Sequence, residues 1–186
     1  GASISIILRD FSAAYGNQLN PTVPGPGYSQ FVRYLQGRSD MSGLQYWAHH
    51  LRNLQVCHMP VAQDLTKTRR LGSLKVAFHR FDELQELCKQ ESITFASLAM
   101  ATWATVLSAL TGQDDVAFGY LSAGRDVPVA DIQDAVGVFI NMLCCRVKLS
   151  SRQGYGSLFR QVQNDFLQGL PHQATSLAEI QNHIGM

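Results

Sequence analysis

The sequence predicts an α/β fold, a layered sandwich of helices on a sheet, and three features carry that reading. One long segment, Phe95–Leu110, has apolar residues recurring at three and four, the mark of a helix. Two apolar runs, Val116–Leu121 and Phe139–Leu149, read as strands. No glycine-rich loop joins a strand to a following helix in a way that could cradle phosphate, which argues against a nucleotide-binding sheet.

The elements follow in order. Residues 3–19 carry Ile4, Ile7, Leu8, Phe11, Ala14 and Tyr15 on one helical stripe, expected to face a core. Pro21, Pro24, Gly25, Pro26 and Gly27 then break the chain, so 21–27 reads as a linker. A short helix is expected around Gln30–Leu35. A longer one, Ser42–Leu54, follows the capping residues Ser39 and Asp40 and turns Leu44, Trp47, Leu51 and Leu54 inward. Leu74–Phe78 reads as a strand and Phe81–Lys89 as a helix. Thr94 can cap Phe95–Leu110 and Gly112 can end it, and its apolar stripe is broad enough for burial nearly all round, Trp103 included. Phe139–Leu149 alternates poorly, as a central strand with two covered faces does. Tyr155–Leu167 and Ser176–Ile184 close the chain as helices.

Composition narrows the classes of function. Of the 186 residues, 46% are hydrophobic and 16% charged, the balance of a folded chain. A domain of this size ordinarily carries about a quarter charged residues, so part of the surface is expected to lie under a partner or further chain. The net charge is +1 without a basic or acidic run, so neither nucleic acid nor an anionic membrane is expected as partner. No apolar stretch approaches the roughly 20 residues that cross a bilayer. Gly1–Leu8 is apolar, but Arg9 and Asp10 interrupt it and no basic region precedes it, so it does not read as a signal peptide and a cytoplasmic location is expected. Both ends look cut, as in a piece of a larger domain.

Cys57, Cys88, Cys144 and Cys145 form no C-x-x-C pair, and strand neighbours 144 and 145 point to opposite faces. They read as reduced, small apolar residues with no metal site. His49 and His50 sit on a helix where adjacent residues diverge by about 100°, with no acid within a turn to orient either ring; they read as rim histidines. There is no G-x-S-x-G nucleophile turn. Asp114 and Asp115 precede a strand and read as solvated turn or cap residues. Asp126, Asp131 and Asp134 flank a proline loop without metal-ligand spacing.

Five unusual segments occur in fixed order. Gly1-Ala2-Ser3 leads into Ile4 to Phe11, and Tyr28-Ser29-Gln30-Phe31-Val32-Arg33-Tyr34 follows. Val116 to Tyr120 runs into Ser122-Ala123-Gly124-Arg125, then comes Val136-Gly137-Val138-Phe139-Ile140-Asn141-Met142-Leu143-Cys144-Cys145-Arg146. Last is His172-Gln173-Ala174-Thr175-Ser176-Leu177-Ala178-Glu179-Ile180. This series resembles the condensation domains of non-ribosomal peptide synthetases over nearly the whole chain. The second segment is similar to the family's Y-x-D-F-A-x-W, with Gln30 for Asp and Tyr34 for Trp. The fourth is close to V-G-x-F-V-N-T-L-x-x-R, with Ile140 for Val and Met142 for Thr. The fifth is similar to H-Q-x-x-P-F-E but keeps only His172 and Gln173. The Met-Leu-Cys-Cys-Arg variant looks more fungal than bacterial.

The resemblance implies a two-lobed sandwich like chloramphenicol acetyltransferase, present in part: residues 1–20 as the end of the amino-terminal lobe, 21–27 as linker and 28–186 as part of the carboxy-terminal lobe. It implies amide formation between carrier-bound acyl or peptidyl thioesters and an amine, with both substrates on phosphopantetheine arms of donor and acceptor carrier domains and an adenylation domain adjacent in the same megasynthase. The family's His-His-x-x-x-Asp-Gly motif would end at Gly1, with Ser3 as its common trailing serine and the catalytic histidine upstream, so the fragment alone is expected to be inactive. Arg125, with Arg146 as second choice, would brace the catalytic loop by pairing with the motif Asp; an arginine closing off some other buried carboxylate is the alternative. Gly137 would allow close backbone approach, Asn141 would tie a strand end to neighbouring backbone, and His172 and Gln173 would fix a loop. Two other readings stay open: a terminal domain that releases product by cyclisation, and a non-catalytic carrier-docking remnant.

Overall fold

The computed structural model describes residues 2–20, 25–38, 41–59, 73, 75–77 and 79–185. Seven helices are assigned among them: α1 Ala2–Tyr15, α2 Tyr28–Gln36, α3 Met41–His50, α4 Phe81–Gln90, α5 Phe95–Thr111, α6 Tyr155–Gly169 and α7 Leu177–Ile184. Two strands, β1 Asp115–Ser122 and β2 Asn141–Lys148, pair in a two-stranded sheet. Short 3-10 turns lie at Ile132–Asp134 and Leu170–His172. Gly1, much of the 21–27 linker and the capping candidates Ser39 and Asp40 lie outside the described residues, as do Leu74 and Phe78 of the expected strand; residues 75–77 between them carry no strand.

The helix ends obey local chemistry. Thr94 caps α5 by accepting from the Ser97 N–H at 3.2 Å, and Gly112 ends it in the left-handed region at φ 70°. Ser176 and Glu179 form a reciprocal capping box on α7, and Gly185 closes that helix at φ 73°. The expected Ser42–Leu54 helix stops at His50, with a turn over residues 51–53 and Asn53 at φ 59°.

The chain divides into two compact units: Gly1–His49 with Tyr120–Leu143 and Pro171–Met186, and His50–Gly119 with Cys144–Leu170. In the second unit Ala101, Ala104 and Leu107 of α5 pack with Val116 and Val147 of the strands and Leu158 and Val162 of α6. The two alanines let α5 approach closely, and burying such a set supplies the main stabilisation of the unit. A smaller cluster joins Cys88 of α4 to Ile93 and Leu98. In the first unit Phe31 of α2, Ile132, Ala135 and Phe139 form the core, with Tyr28 edge-on to Phe139 at 5.2 Å between ring centres.

Three burial expectations need correction. The α1 stripe is exposed at Ile4, Ile7, Leu8, Phe11 and Tyr15, and Ile6, off the stripe, is buried. Polar contacts hold this helix instead: the Ser3 hydroxyl on Gly137 and an Arg9–Asp134 ion pair at 3.2 Å. Helix α5 is not buried all round, since Phe95, Trp103 (45% exposed), Val106 and Leu110 line an outer face. Finally, β2 has one hydrogen-bonded neighbour among the described residues; Leu143 and Val147 are covered while Met142 is exposed.

Trp47, by contrast, is a core residue at 2% exposure, and its indole N–H donates to the His172 carbonyl at 3.0 Å. Trp47→Phe keeps an aromatic ring but removes one of that carbonyl's two donors, leaving the Thr175 N–H at 3.3 Å, a loss of about 0.5–1.5 kcal/mol. A lowered urea midpoint with unchanged m-value checks this; an unchanged midpoint would mean the bond contributes nothing. Among the described residues no single helix is long and apolar enough to cross a membrane.

Candidate functional site

The first unit gathers most of the motif residues. Arg125 follows the end of β1 and is 8% exposed. Its Nη1 donates to the carbonyls of Ile132 and Gln133, and its Nη2 to the Ala135 carbonyl at 2.9 Å and the Ser3 hydroxyl at 3.0 Å. The guanidinium also lies 4.0 Å from the centre of the Phe139 ring. Among the described residues no carboxylate pairs with it, so a buried charge is held by carbonyls, a hydroxyl and a ring.

Ser3 is the joint between α1 and this cluster. Its hydroxyl donates to the Gly137 carbonyl at 2.8 Å and accepts from the Gly137 N–H at 3.2 Å as well as from Arg125. Gly137 has no room for a side chain, because a Cβ there would lie 2.1 Å from the Tyr28 ring. The close approach is therefore made by an aromatic side chain, whose hydroxyl donates to the Val138 carbonyl at 2.7 Å.

A second network lies around Gln173, which is 3% exposed. Its amide nitrogen donates to the Asp126 carbonyl at 3.2 Å, and its amide oxygen accepts from the Ser122 hydroxyl at 2.8 Å. Asn141, opening β2, donates to the carbonyls of Gln173 and Thr175 at 2.7 and 2.9 Å. The strand end is thus tied to the segment before α7, as a half-buried amide requires. His172 stacks on Tyr46 with 4.4 Å between ring centres and offers its carbonyl to Trp47.

Arg146 belongs to the second unit and is engaged there. Its Nε and Nη2 meet the two Asp115 oxygens at 2.8 and 2.6 Å, and its Nη1 donates to the carbonyls of His50 and Arg52 at 2.7 and 2.9 Å. Asp115 is therefore not a solvated turn residue: β1 opens on it, and the arginine hydrogen bonds hold its carboxyl below the usual range despite opposing burial. Burial pushes the Cys144 thiol up to about 11 and the Cys145 thiol up to about 12, so both stay protonated at neutral pH.

A cavity of about 460 Å³ opens beside the Arg125 cluster, with Leu121, Val138 and Ile140 among its apolar residues and Ser3, Ser122 and Arg125 as its polar ones. Ser122 and Tyr28 were not singled out from sequence. Both sit in motif segments, Tyr28 in the second and Ser122 in the third, which was a usable signal.

Comparison with known proteins fits this geometry. The chain is 44% identical over 185 residues to nonribosomal peptide synthetase 1 of Aspergillus fumigatus and 46% identical over 185 residues to nonribosomal peptide synthetase nlsA of Emericella nidulans. Each match covers 100% of this chain and 3% of the relative, so the chain spans a small part of the length of these relatives. Among solved structures, the first condensation domain of the CDA synthetase superposes with a TM-score of 0.79 at 16% identity, over 100% of this chain and 43% of that one. That likeness shows the fold, a partial sandwich of the chloramphenicol-acetyltransferase kind. A family model for the condensation domain matches residues 1–186. A covered Arg125 centre, a motif tyrosine on Gly137 and an end-to-end family match agree, and the chain belongs to the condensation-domain family.

Proposed function

We propose that the domain to which this chain contributes joins a carrier-bound acyl or peptidyl thioester to an amine, forming an amide. The observation that supports this is the buried Arg125 guanidinium without a carboxylate among the described residues. A buried charge is stable only when paired and hydrogen-bonded. The family motif puts an aspartate directly before the position of Gly1, and Ser3, close behind, already rests on Arg125. In this reading the motif Asp completes the pair and stiffens the loop that carries the motif's second histidine. That histidine positions or deprotonates the attacking amine, and holding the amine near the thioester carbonyl supplies much of the rate.

Residues 1–20 then end the amino-terminal lobe and 28–186 belong to the carboxy-terminal lobe. Donor and acceptor substrates arrive on phosphopantetheine arms of carrier domains, with an adenylation domain alongside in a cytoplasmic megasynthase. The relatives' name, nonribosomal peptide synthetase, supports this assignment. The test is amide formation by the parent synthetase with the second motif histidine changed to alanine. A loss of about 100-fold or more is expected; unchanged product would sink the reading.

A further inference from the structure

We infer that Tyr28 is a positioning residue of the reaction: it fixes Ser3, and so the start of α1, without touching substrate itself; this rests on the acyl-transfer reading above. Tyr28 opens α2, straight after the 21–27 linker, and is half-buried. Its side chain holds a short stretch of main chain far along the sequence. The hydroxyl donates to the Val138 carbonyl at 2.7 Å, across 110 positions, and the ring edge fills the space where a Cβ at Gly137 would stand. The main chain held in this way is the part that grips Ser3. The Gly137 N–H donates to the Ser3 hydroxyl at 3.2 Å, and the Gly137 carbonyl accepts its proton at 2.8 Å. A hydroxyl has one proton and two lone pairs, and Arg125 Nη2 donates to it at 3.0 Å. With all three places taken, Ser3 stands where Gly137 and Arg125 put it.

Tyr28 also reaches Arg125 by a second route. Its ring meets Phe139 edge-on, at 84° with 5.2 Å between centres, and the Arg125 guanidinium lies over the Phe139 ring at 4.0 Å. One side chain thus bears on both partners of Ser3: on Gly137 directly, and on Arg125 through Phe139. All of these residues belong to the first compact unit. Helix α1 depends on such an anchor, because among its described residues Ile4, Ile7, Leu8 and Phe11 are exposed and only Ile6 is buried. Ser3 and Arg125 line the cavity of about 460 Å³, and Tyr28 does not. A change at Tyr28 therefore alters the geometry of that cavity without removing a group from its wall. Displacing reacting groups by about 1 Å costs about 100-fold in rate.

The test is single-turnover amide formation by the parent synthetase, with its loaded acceptor carrier domain supplied at varied concentration. The rate constant counts only folded enzyme, whereas loss of folded protein lowers the amplitude. Tyr28→Phe keeps the ring on Gly137 and Phe139 but loses one hydrogen bond, so the saturating rate constant should fall about five-fold. Tyr28→Leu loses the ring contacts as well and should fall about 100-fold. In both, the half-saturating carrier concentration should stay at the wild-type value. Where Tyr28→Leu fails to fold, Tyr28→Phe decides. Wild-type rate constants in both variants, or a loss confined to amplitude, would overturn the inference. So would a loss confined to the half-saturating concentration, the mark of direct substrate contact. An active wild type with unaffected Tyr28 variants removes the role of Tyr28 alone; a wild type that forms no amide removes the acyl-transfer reading and this role with it.

Discussion

Gly124→Ala should cost about 2–5 kcal/mol and disorder the Arg125 cluster. Gly124 has φ +64°, and a Cβ there would lie 1.8 Å from the Phe139 carbonyl oxygen. Two costs combine. Holding alanine in the left-handed region takes about 1–2 kcal/mol, and forcing a backbone contact apart takes about 1–3 kcal/mol more. The obstacle is main chain, so no side-chain rotation relieves it. Gly112 is the internal control: its φ is +70° and nothing lies within 4 Å of the site of a Cβ, so Gly112→Ala should show only the conformational cost. Urea unfolding of the condensation domain compares the two. Equal losses would mean that the Phe139 contact is without consequence. A loss near the total stability of a domain, about 5–15 kcal/mol, would appear as failure to accumulate folded protein.

Arg146→Met is the second large effect, expected at about 3 kcal/mol. The arginine side chain is 6% exposed and its Asp115 partner 32%. Removing it strands a half-covered carboxylate and takes a donor from the carbonyls of His50 and Arg52. Breaking a buried pair costs about 3–5 kcal/mol, and the partial exposure of Asp115 places this case at the low end. The double variant Asp115→Leu with Arg146→Met should recover part of the loss, since no charge is then left unpaired. The pH dependence follows from the depressed Asp115 carboxyl. A carboxyl lowered on folding contributes its full stability above the unfolded value of about 4, and that share is lost as pH falls through the folded value. Wild type should therefore hold its urea midpoint from pH 7 to 5 and lose stability below about 4, whereas Arg146→Met should lose less over the acid range. An identical acid limb in both proteins would remove Asp115 as the titrating group.

Local chemistry was legible in the residues. Thr94 and Gly112 bracket α5, Ser176 caps α7, and both strands begin and end within two residues of their expected limits. Such signals act over one turn or one strand and need no knowledge of neighbours. The α1 stripe misled because periodicity reports that a helix has an apolar face, not what covers it. Trp103 misled in the same way: it sits on a helix without charges, yet on the face turned from Ala101 and Ala104. Asp115 was misread because its partner Arg146 lies 31 residues away, and a turn residue and a strand residue announce no pairing in one sequence.

Family membership, most of the helices and the caps Thr94 and Gly112 were legible in the sequence, because each rests on residue types at short spacing; Ser3, Arg125, Gly137, Asn141 and Gln173 were named there from the family resemblance. How those residues meet was not. Ser3 reaches Arg125 across 122 positions and Gly137 across 134, and Ser122 meets Gln173 across 51. Those contacts follow from the packing of α1, the loop after β1 and the segment before α7 within one unit. Chain connectivity leaves such separations unconstrained until the core is built, so these contacts become readable only in the folded protein.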